Sequence, residues 1–389
     1  MKERYYSLDV FRGATVALMI LVNNPGSWSH IYGPLKHADW HGATPTDLVF
    51  PFFLFAVGNA MAFVIPRLQQ AGTPFFLKKV FKRFLLIFLI GLFLNWSPFV
   101  KWDGDTLAFK HWIHPTNPDS GIRILGVLQR IAIAYLFASL LVFFTKPKTG
   151  FFICAVILLF YWAFLFVSNP ADPYSLQGFI GTSIDKAILG VPHLYKGEGV
   201  PFDPEGLLST IPAIVQVVFG YYAGQYIQLK GKNFEMLANL LVAGIVLALA
   251  GLMWGLSFPI NKKIWTSSYV LYTTGLGLMT IGVMIYLIEF RQARGWWSSF
   301  FDVFGKNPLF IFVLSGFLPR VLGLFRWQDG VDNAGNPRFT HAFSWFYENV
   351  CSPVASDPRV GSLLYAFCMI TFYWLLAWWL DKRKIYIKV

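Results

Sequence analysis

Residues 131–168 read IAIAYLFASLLVFFTKPKTGFFICAVILLFYWAFLFVS. Two runs in it, Ala132–Phe144 and Phe151–Val167, contain no charged residue, and the turn between them carries Lys146, Pro147 and Lys148. A helix crosses a bilayer core with about 20 mostly apolar residues, and only a helix or a closed barrel satisfies its own backbone there. The stretch therefore reads as two membrane-spanning helices joined by a short cationic turn.

The same pattern recurs along the chain. Of its 389 residues 56% are hydrophobic and only 13% charged, where soluble domains carry about 25% charged residues. Ten spans are expected, at roughly 10–24, 48–66, 84–97, 122–144, 151–168, 206–229, 235–256, 268–289, 301–324 and 360–380. The fold class is all-α: a polytopic helical membrane protein with about ten transmembrane helices. With no Ser/Gly linker, low-complexity tract or internal repeat, residues 1–389 read as one transmembrane domain. Several spans look short or interrupted, with Pro98 ending the third, Pro212 and Gly220 in the sixth, and Pro308 and Pro319 in the ninth. No cleavable signal peptide is expected, since Met1–Arg12 carries Asp9 and Arg12 and no small-residue cleavage site follows. Cys154, Cys351 and Cys368 have no metal-ligand or disulfide spacing and read as packing residues.

Net charge is +12, but its distribution argues against nucleic acid. One set of alternating loops and ends holds Lys2, Arg4, Arg12, the cluster Arg67–Arg83, Lys146, Lys148, Lys230, Lys232, Arg291, Arg294 and the cations after Asp381. The other set is longer, sparser in cations, and rich in Trp, Pro, Asp and His. The positive-inside rule puts both termini in the cytoplasm. The turns at 35–47, 98–121, 169–205 and 325–358 then face outward from a cell (inner) membrane, where loops held by a rigid scaffold carry function.

One of these turns, Leu35–Pro51, reads LKHADWHGATPTDLVFP. Polar groups converging between apolar walls are what a reaction site needs. Neutral imidazole can take a proton near neutral pH and return it. His30, His37 and His41 also permit a metal, but no HExxH-type pattern or third-ligand spacing supports one, and no metal is expected. Within the spans sit Arg12, Arg123, Arg130, Lys306 and Arg320. Arg123 and Arg130, seven apart, would share a helix face. An unpaired charge at mid-bilayer costs about 2.5–3.5 kcal/mol even on the lenient scale. Asp9 can pair with Arg12, and Lys306 and Arg320 can snorkel. As a set, however, the cations outnumber acidic partners inside the spans, which suits a cavity that receives phosphates.

These motifs together resemble one family. SLDVFRG (Ser7–Gly13), KHADWHGATPTDLVFPFFLFAVG (Lys36–Gly58), GVLQR (Gly126–Arg130), DPEGLLSTIPAI (Asp203–Ile214), FPINKKIWTSSYVL (Phe258–Leu271) and GKNPLFIF (Gly305–Phe312) occur in the order found in the transmembrane heparan-α-glucosaminide N-acetyltransferases and their bacterial relatives. The resemblance implies an enzyme that carries an acetyl group from cytosolic acetyl-CoA to an amino sugar across the membrane, with no metal. It also implies a homodimer. The lysosomal member has an extra luminal domain ahead of the conserved spans, which is expected to be absent here. The family's active histidine corresponds to His37, in its K-H-x-x-W motif, and its asparagine at the end of the first span to Asn23, with Asn24 adjacent. Where the lysosomal enzyme has Asn after the Trp, this chain has His41, a departure that bears on the acceptor.

Acetyl transfer to an amine requires loss of a proton, polarisation of the thioester and positioning of both reactants. His37 is the candidate base, or a nucleophile that is transiently acetylated. Asn23 or Asn24 is the candidate oxyanion donor, and Asp47 the group that orients the imidazole. Arg12, Arg123, Arg130 and Lys306, with Gln129 and Asn307, are candidates for holding CoA. Trp40, His41, Asp203, Glu205 and Asn261 are candidates for the acceptor, although acids at a helix start are also favoured by the macrodipole alone. Two other readings remain open: a transporter or flippase for an anionic or sugar ligand, where broken helices and buried charges are also expected, and the same scaffold acylating another cell-envelope glycan.

Overall fold

The computed structural model describes residues 5–331 and 335–387; Lys2, Arg4 and Lys388, among the cations counted above, lie outside them. The chain starts in α1 (Tyr6–Asn23) and returns in α2 (Val49–Gln70). Gly72, at φ 90°, reverses it into α3 (Thr73–Trp96), a backbone angle that glycine adopts without strain. Two antiparallel hairpins follow, β1 (Val100–Asp103) with β2 (Thr106–Phe109) and β3 (Ile113–His114) with β4 (Asn117–Gly121). The stretch that opened the sequence reading becomes α4 (Val127–Phe144) and α5 (Pro147–Ser168). Pro147 starts α5 where its missing N–H would have had no partner anyway. A short α6 (Ile180–Leu189) precedes α7 (Leu207–Lys230), α8 (Phe234–Trp254) and α9 (Ser267–Ile285). The chain ends with α10 (Trp296–Lys306), α11 (Pro308–Leu322), the hairpin of β5 (Arg326–Val331) and β6 (Pro337–His341), α12 (Ala342–Phe346) and α13 (Pro358–Lys382).

Among the described residues eight helices are long and apolar enough to cross a membrane. Two further segments were expected as spans. In α3, Lys78, Lys79, Lys82 and Arg83 make the first half cationic, and this helix is not among the eight; its last turn lies against the segment before α4, where the Asn95 amide donates to the carbonyls of Arg123 and Leu125. The ninth span is interrupted, as expected. α10 and α11 meet at 77° across Asn307, because Pro308 cannot continue the hydrogen-bond ladder of α10.

The all-α class holds, with three small hairpins added in the long loops. The sequence reading needs two corrections. The sixth span is not interrupted: α7 runs unbroken through Pro212 and Gly220. The fourth span starts at Val127 rather than 122, so Arg123 and Arg130 share no helix face. Gly126 is extended there, and the preceding carbonyls are taken by the side chains of Asn95 and Gln129.

Lipid tails are as apolar as leucine, so spanning helices associate through close packing rather than through the hydrophobic effect. α2 and α7 show how. A Cβ at Gly58 would collide with the carbonyl oxygen of Val217, and one at Gly220 with that of Phe55. The two backbones touch, and α2 is fixed where it rises into the Leu35–Pro51 turn. Outer faces of α3, α5 and α8 keep Leu89, Phe160 and Leu249 exposed, as a lipid-facing surface requires. The turns sort into two faces. On the basic face Glu289 accepts from Ser7 N at 3.1 Å and pairs with Lys232 at 3.0 Å. On the opposite face the Trp102 indole donates to the Leu324 carbonyl, and the Trp40 indole to that of Tyr174.

Candidate active site

The site is built from a capping turn. Thr44-Pro-Thr-Asp47 is a capping box with proline at the first position, ahead of α2. Asp47 is almost fully buried. Its Oδ2 accepts from the Ala38 N–H at 3.0 Å, the Thr44 N–H at 3.0 Å and the Thr44 hydroxyl at 3.1 Å. That leaves Oδ1 for the His37 Nδ1, 2.7 Å away. A bond this short to a carboxylate requires the proton on Nδ1, so the lone pair sits on Nε2. Among the described residues Nε2 has no hydrogen-bond partner, and the His37 side chain is 41% exposed. An anchored carboxylate thus fixes the tautomer of an open imidazole, the relation found in catalytic triads.

The segment between α8 and α9 closes over this turn. Gly42 bridges to Asn261, and its N–H donates to the Ile260 carbonyl at 2.7 Å. Tyr269 donates its hydroxyl to the Asp47 carbonyl at 2.5 Å. Lys262 Nζ lies 3.1 Å from His37 Nδ1 and 3.4 Å from Asp47 Oδ1. Since the Nδ1 proton is committed to Asp47, the ammonium's partner is the carboxylate. Burial lowers the Lys262 pKa, with Asp47 and then Glu205 opposing it. Lys263 donates to the Asp39 carbonyl and pairs with Glu198 at 2.7 Å.

His37 and Asp47 open on a cavity of about 250 Å³ whose far wall holds Arg123, Tyr195, Glu198 and Glu205. Arg123 grips Asp203 with two bonds, of 2.9 and 2.6 Å, and reaches Glu205 at 2.5 Å. Its guanidinium lies 4.8 Å from the Tyr195 ring centre. Burial works against ionisation of Glu205, but Arg123 and then Arg130 outweigh it and hold its pKa below the ordinary value. Arg130 is buried beneath, donating to Ser209 and, at 2.6 Å, to the Pro204 carbonyl, with Trp265 over its guanidinium at 4.9 Å.

Of the residues singled out in the sequence, His37, Asp47, Trp40, Arg123 and Glu205 line this cavity. His41 and Asn261 sit beside it as a pair, 3.3 Å apart, and burial lowers the His41 pKa. Asp203 is spent on Arg123. Asn23 and Asn24 do not line the cavity; Asn23 is exposed at the end of α1, and the Asn24 amide donates back to Ile20. Nor do the interior cations form one uncompensated set. Arg12 pairs with Asp9 at 3.3 Å, Lys306 with Asp302 and Asp381 at 2.8 and 2.9 Å, and Arg320 donates to the Leu94 carbonyl. Asn307 bonds the tail at Ile385 and Ile387, and the Gln129 amide donates to the Ile124 carbonyl. Lys262, Tyr195, Glu198 and Trp265 were not singled out. Only Lys262 and Trp265 had a signal, in the motif FPINKKIW whose asparagine alone was chosen.

Apolar helices in this number, with an oriented imidazole in a charged cavity at one face, define a polytopic helical membrane protein. The sequence places it more narrowly. The model of the catalytic part of heparan-alpha-glucosaminide N-acetyltransferase matches residues 4–251, and the chain belongs to that family. It is 27% identical to heparan-alpha-glucosaminide N-acetyltransferase of Homo sapiens in a match that covers 80% of this chain and 53% of the human one. To the same enzyme of Mus musculus it is also 27% identical, covering 84% of this chain and 55% of the mouse one. The chain thus spans about half the length of these relatives.

Proposed function

We propose that this protein is a transmembrane acyltransferase that moves an acetyl group from acetyl-CoA to the amine of a glucosamine-type sugar. The observation that carries the reading is the His37–Asp47 pair: a buried, fully hydrogen-bonded carboxylate 2.7 Å from an imidazole whose Nε2 is open to a cavity. In the transfer the acceptor ammonium first releases one proton to solvent, and the neutral amine nitrogen then attacks the thioester carbonyl carbon while His37 Nε2 takes the second proton from that nitrogen. Asp47 stabilises the imidazolium formed in between. The carbon–sulfur bond breaks, and the proton passes from Nε2 to the departing thiolate, giving the N-acetyl sugar and CoA thiol. Glu205 and Glu198 offer carboxylates to a cationic amino sugar, and Trp40 and Tyr195 offer ring faces to its apolar side.

The basic face is assigned to the cytosol by the positive-inside rule, and the His37 cavity then faces outward. A separate cavity of about 130 Å³, lined by Arg12, Arg83 and Tyr135, lies toward the basic face and suits entry of the CoA phosphates from that side. The test is acetyl transfer in proteoliposomes from labelled acetyl-CoA to glucosamine. His37→Ala is expected to abolish labelled N-acetylglucosamine while leaving the fold intact by thermal melting. Activity within tenfold of the native protein would overturn the assignment. Movement of unmodified sugar without acetyl-CoA consumption would favour transport instead.

A further inference from the structure

We propose that the groove between α5, α7, α8 and α9 binds one anionic phospholipid of the basic-face leaflet. This site is separate from the His37 cavity and does not depend on the acetyl-transfer reading. At about 820 Å³ it is the largest cavity described and falls within the range of ligand sites.

Its chemistry is graded along the membrane normal. Phe151, Phe219, Leu240, Ala243, Leu247 and Leu278 form apolar walls that run from the basic face toward mid-membrane. The polar groups gather at the basic-face end. Lys148 stands at the mouth, in the first turn of α5, and has no ion pair or hydrogen bond among the described residues. Gln225 lies beside it, as do Tyr226 and Asn239, joined at 2.8 Å. A cation over an apolar slot matches a phosphate headgroup over acyl chains.

One buried hydroxyl points to the same occupant. Tyr222 lines the groove, and its hydroxyl, buried in the groove wall, has no hydrogen-bond partner among the described residues. Leaving such a group unbonded in an apolar setting is unfavourable. The carbonyl oxygens of glycerol esters are acceptors at the depth where Tyr222 lies, close against Gly150 at the start of α5. A phospholipid thereby meets the cation, the hydroxyl and the apolar walls with one molecule. Phosphatidylcholine would bring its own cation beside Lys148 together with the phosphate, so the site favours a headgroup of net negative charge.

Purified protein in nanodiscs is to be compared with dioleoylphosphatidylglycerol and with dioleoylphosphatidylcholine as probes, by native mass spectrometry and thermal melting. One phosphatidylglycerol is expected to be retained, raising the melting temperature, with at least tenfold weaker retention of phosphatidylcholine. Lys148→Glu, at the exposed rim, should weaken phosphatidylglycerol at least tenfold and leave phosphatidylcholine unchanged. Ala243→Trp, which fills the groove, should abolish retention of both. Equal retention of the two lipids, or insensitivity to Lys148→Glu, would overturn the proposal. So would a native dimer that Ala243→Trp dissociates without changing lipid retention, since a second copy would then cover the groove.

Discussion

Replacing Asp47 by asparagine tests the site most sharply, because the amide has the carboxylate's shape but not its hydrogen-bonding capacity. The new amide can turn in two ways. With its oxygen toward the Ala38 and Thr44 N–H groups it keeps both backbone bonds and presents its NH₂ to His37 Nδ1. The imidazole must then carry its hydrogen on Nε2, and the lone pair facing the cavity is lost. With its oxygen toward His37 the tautomer is kept, but the NH₂ faces two backbone donors. Each donor left unsatisfied costs about 1–3 kcal/mol, so the first arrangement wins. The same exchange in the serine-protease triad lowers kcat about 10⁴-fold through the wrong tautomer, or about 5 kcal/mol of barrier. Acetyl transfer under saturating acetyl-CoA and glucosamine in proteoliposomes measures it, with a melting curve to establish that Asp47→Asn folds. A loss below tenfold in folded protein would refute the role given to the Asp47–His37 bond.

Asp185 provides a pH test. Burial, with the charge of Asp203 adding to it, raises its pKa from the ordinary value to about 6, although the Leu207 N–H donates to it. A carboxylate held above its unfolded value contributes stability that is full below about pH 4 and lost as pH rises through about 6. Asp185→Asn keeps the acceptor for Leu207, so it should melt like the native protein near pH 4 and higher above pH 6, by on the order of 3 kcal/mol; equal melting at all pH values would remove this account. Arg123→Met strands Asp203 and Glu205 in a buried site and is expected to destabilise by about 3–5 kcal/mol, with partial rescue by adding Asp203→Asn and Glu205→Gln. Absence of both effects in melting experiments would show the cluster to be solvated. Gly220→Ala forces a methyl group onto the Phe55 carbonyl and should cost about 1–3 kcal/mol; an unchanged melting temperature would show that α2 and α7 do not rely on contact there.

What the sequence made legible was local. The uninterrupted apolar runs of α4 and α5 and their cationic turn needed only their own residues to be read. The partnership of His37 with Asp47 lies within ten residues. Hidden features came from distant pairings. Arg123 looked like an uncompensated cation because Asp203 and Glu205 arrive from about 80 residues away, on the far side of α5. The start of α4 was misplaced because Asn95, on another helix, takes the carbonyls that a longer helix would have used. Asn23 and Asn24 were chosen through resemblance, and neither lines the His37 cavity.

The segment that closes over the His37 turn also sets an order of events in biogenesis. Residues 37 and 47 leave the ribosome early, yet the groups that fasten them, Lys262 and Tyr269, come more than 200 residues later. At ordinary elongation speeds of about 5–20 residues per second, the early turn waits ten seconds or more in the insertion machinery before its fastening arrives. The match to the family's catalytic part ends at residue 251, so a fragment cut there would hold the His37–Asp47 pair and still lack Lys262 and Tyr269, which close over it.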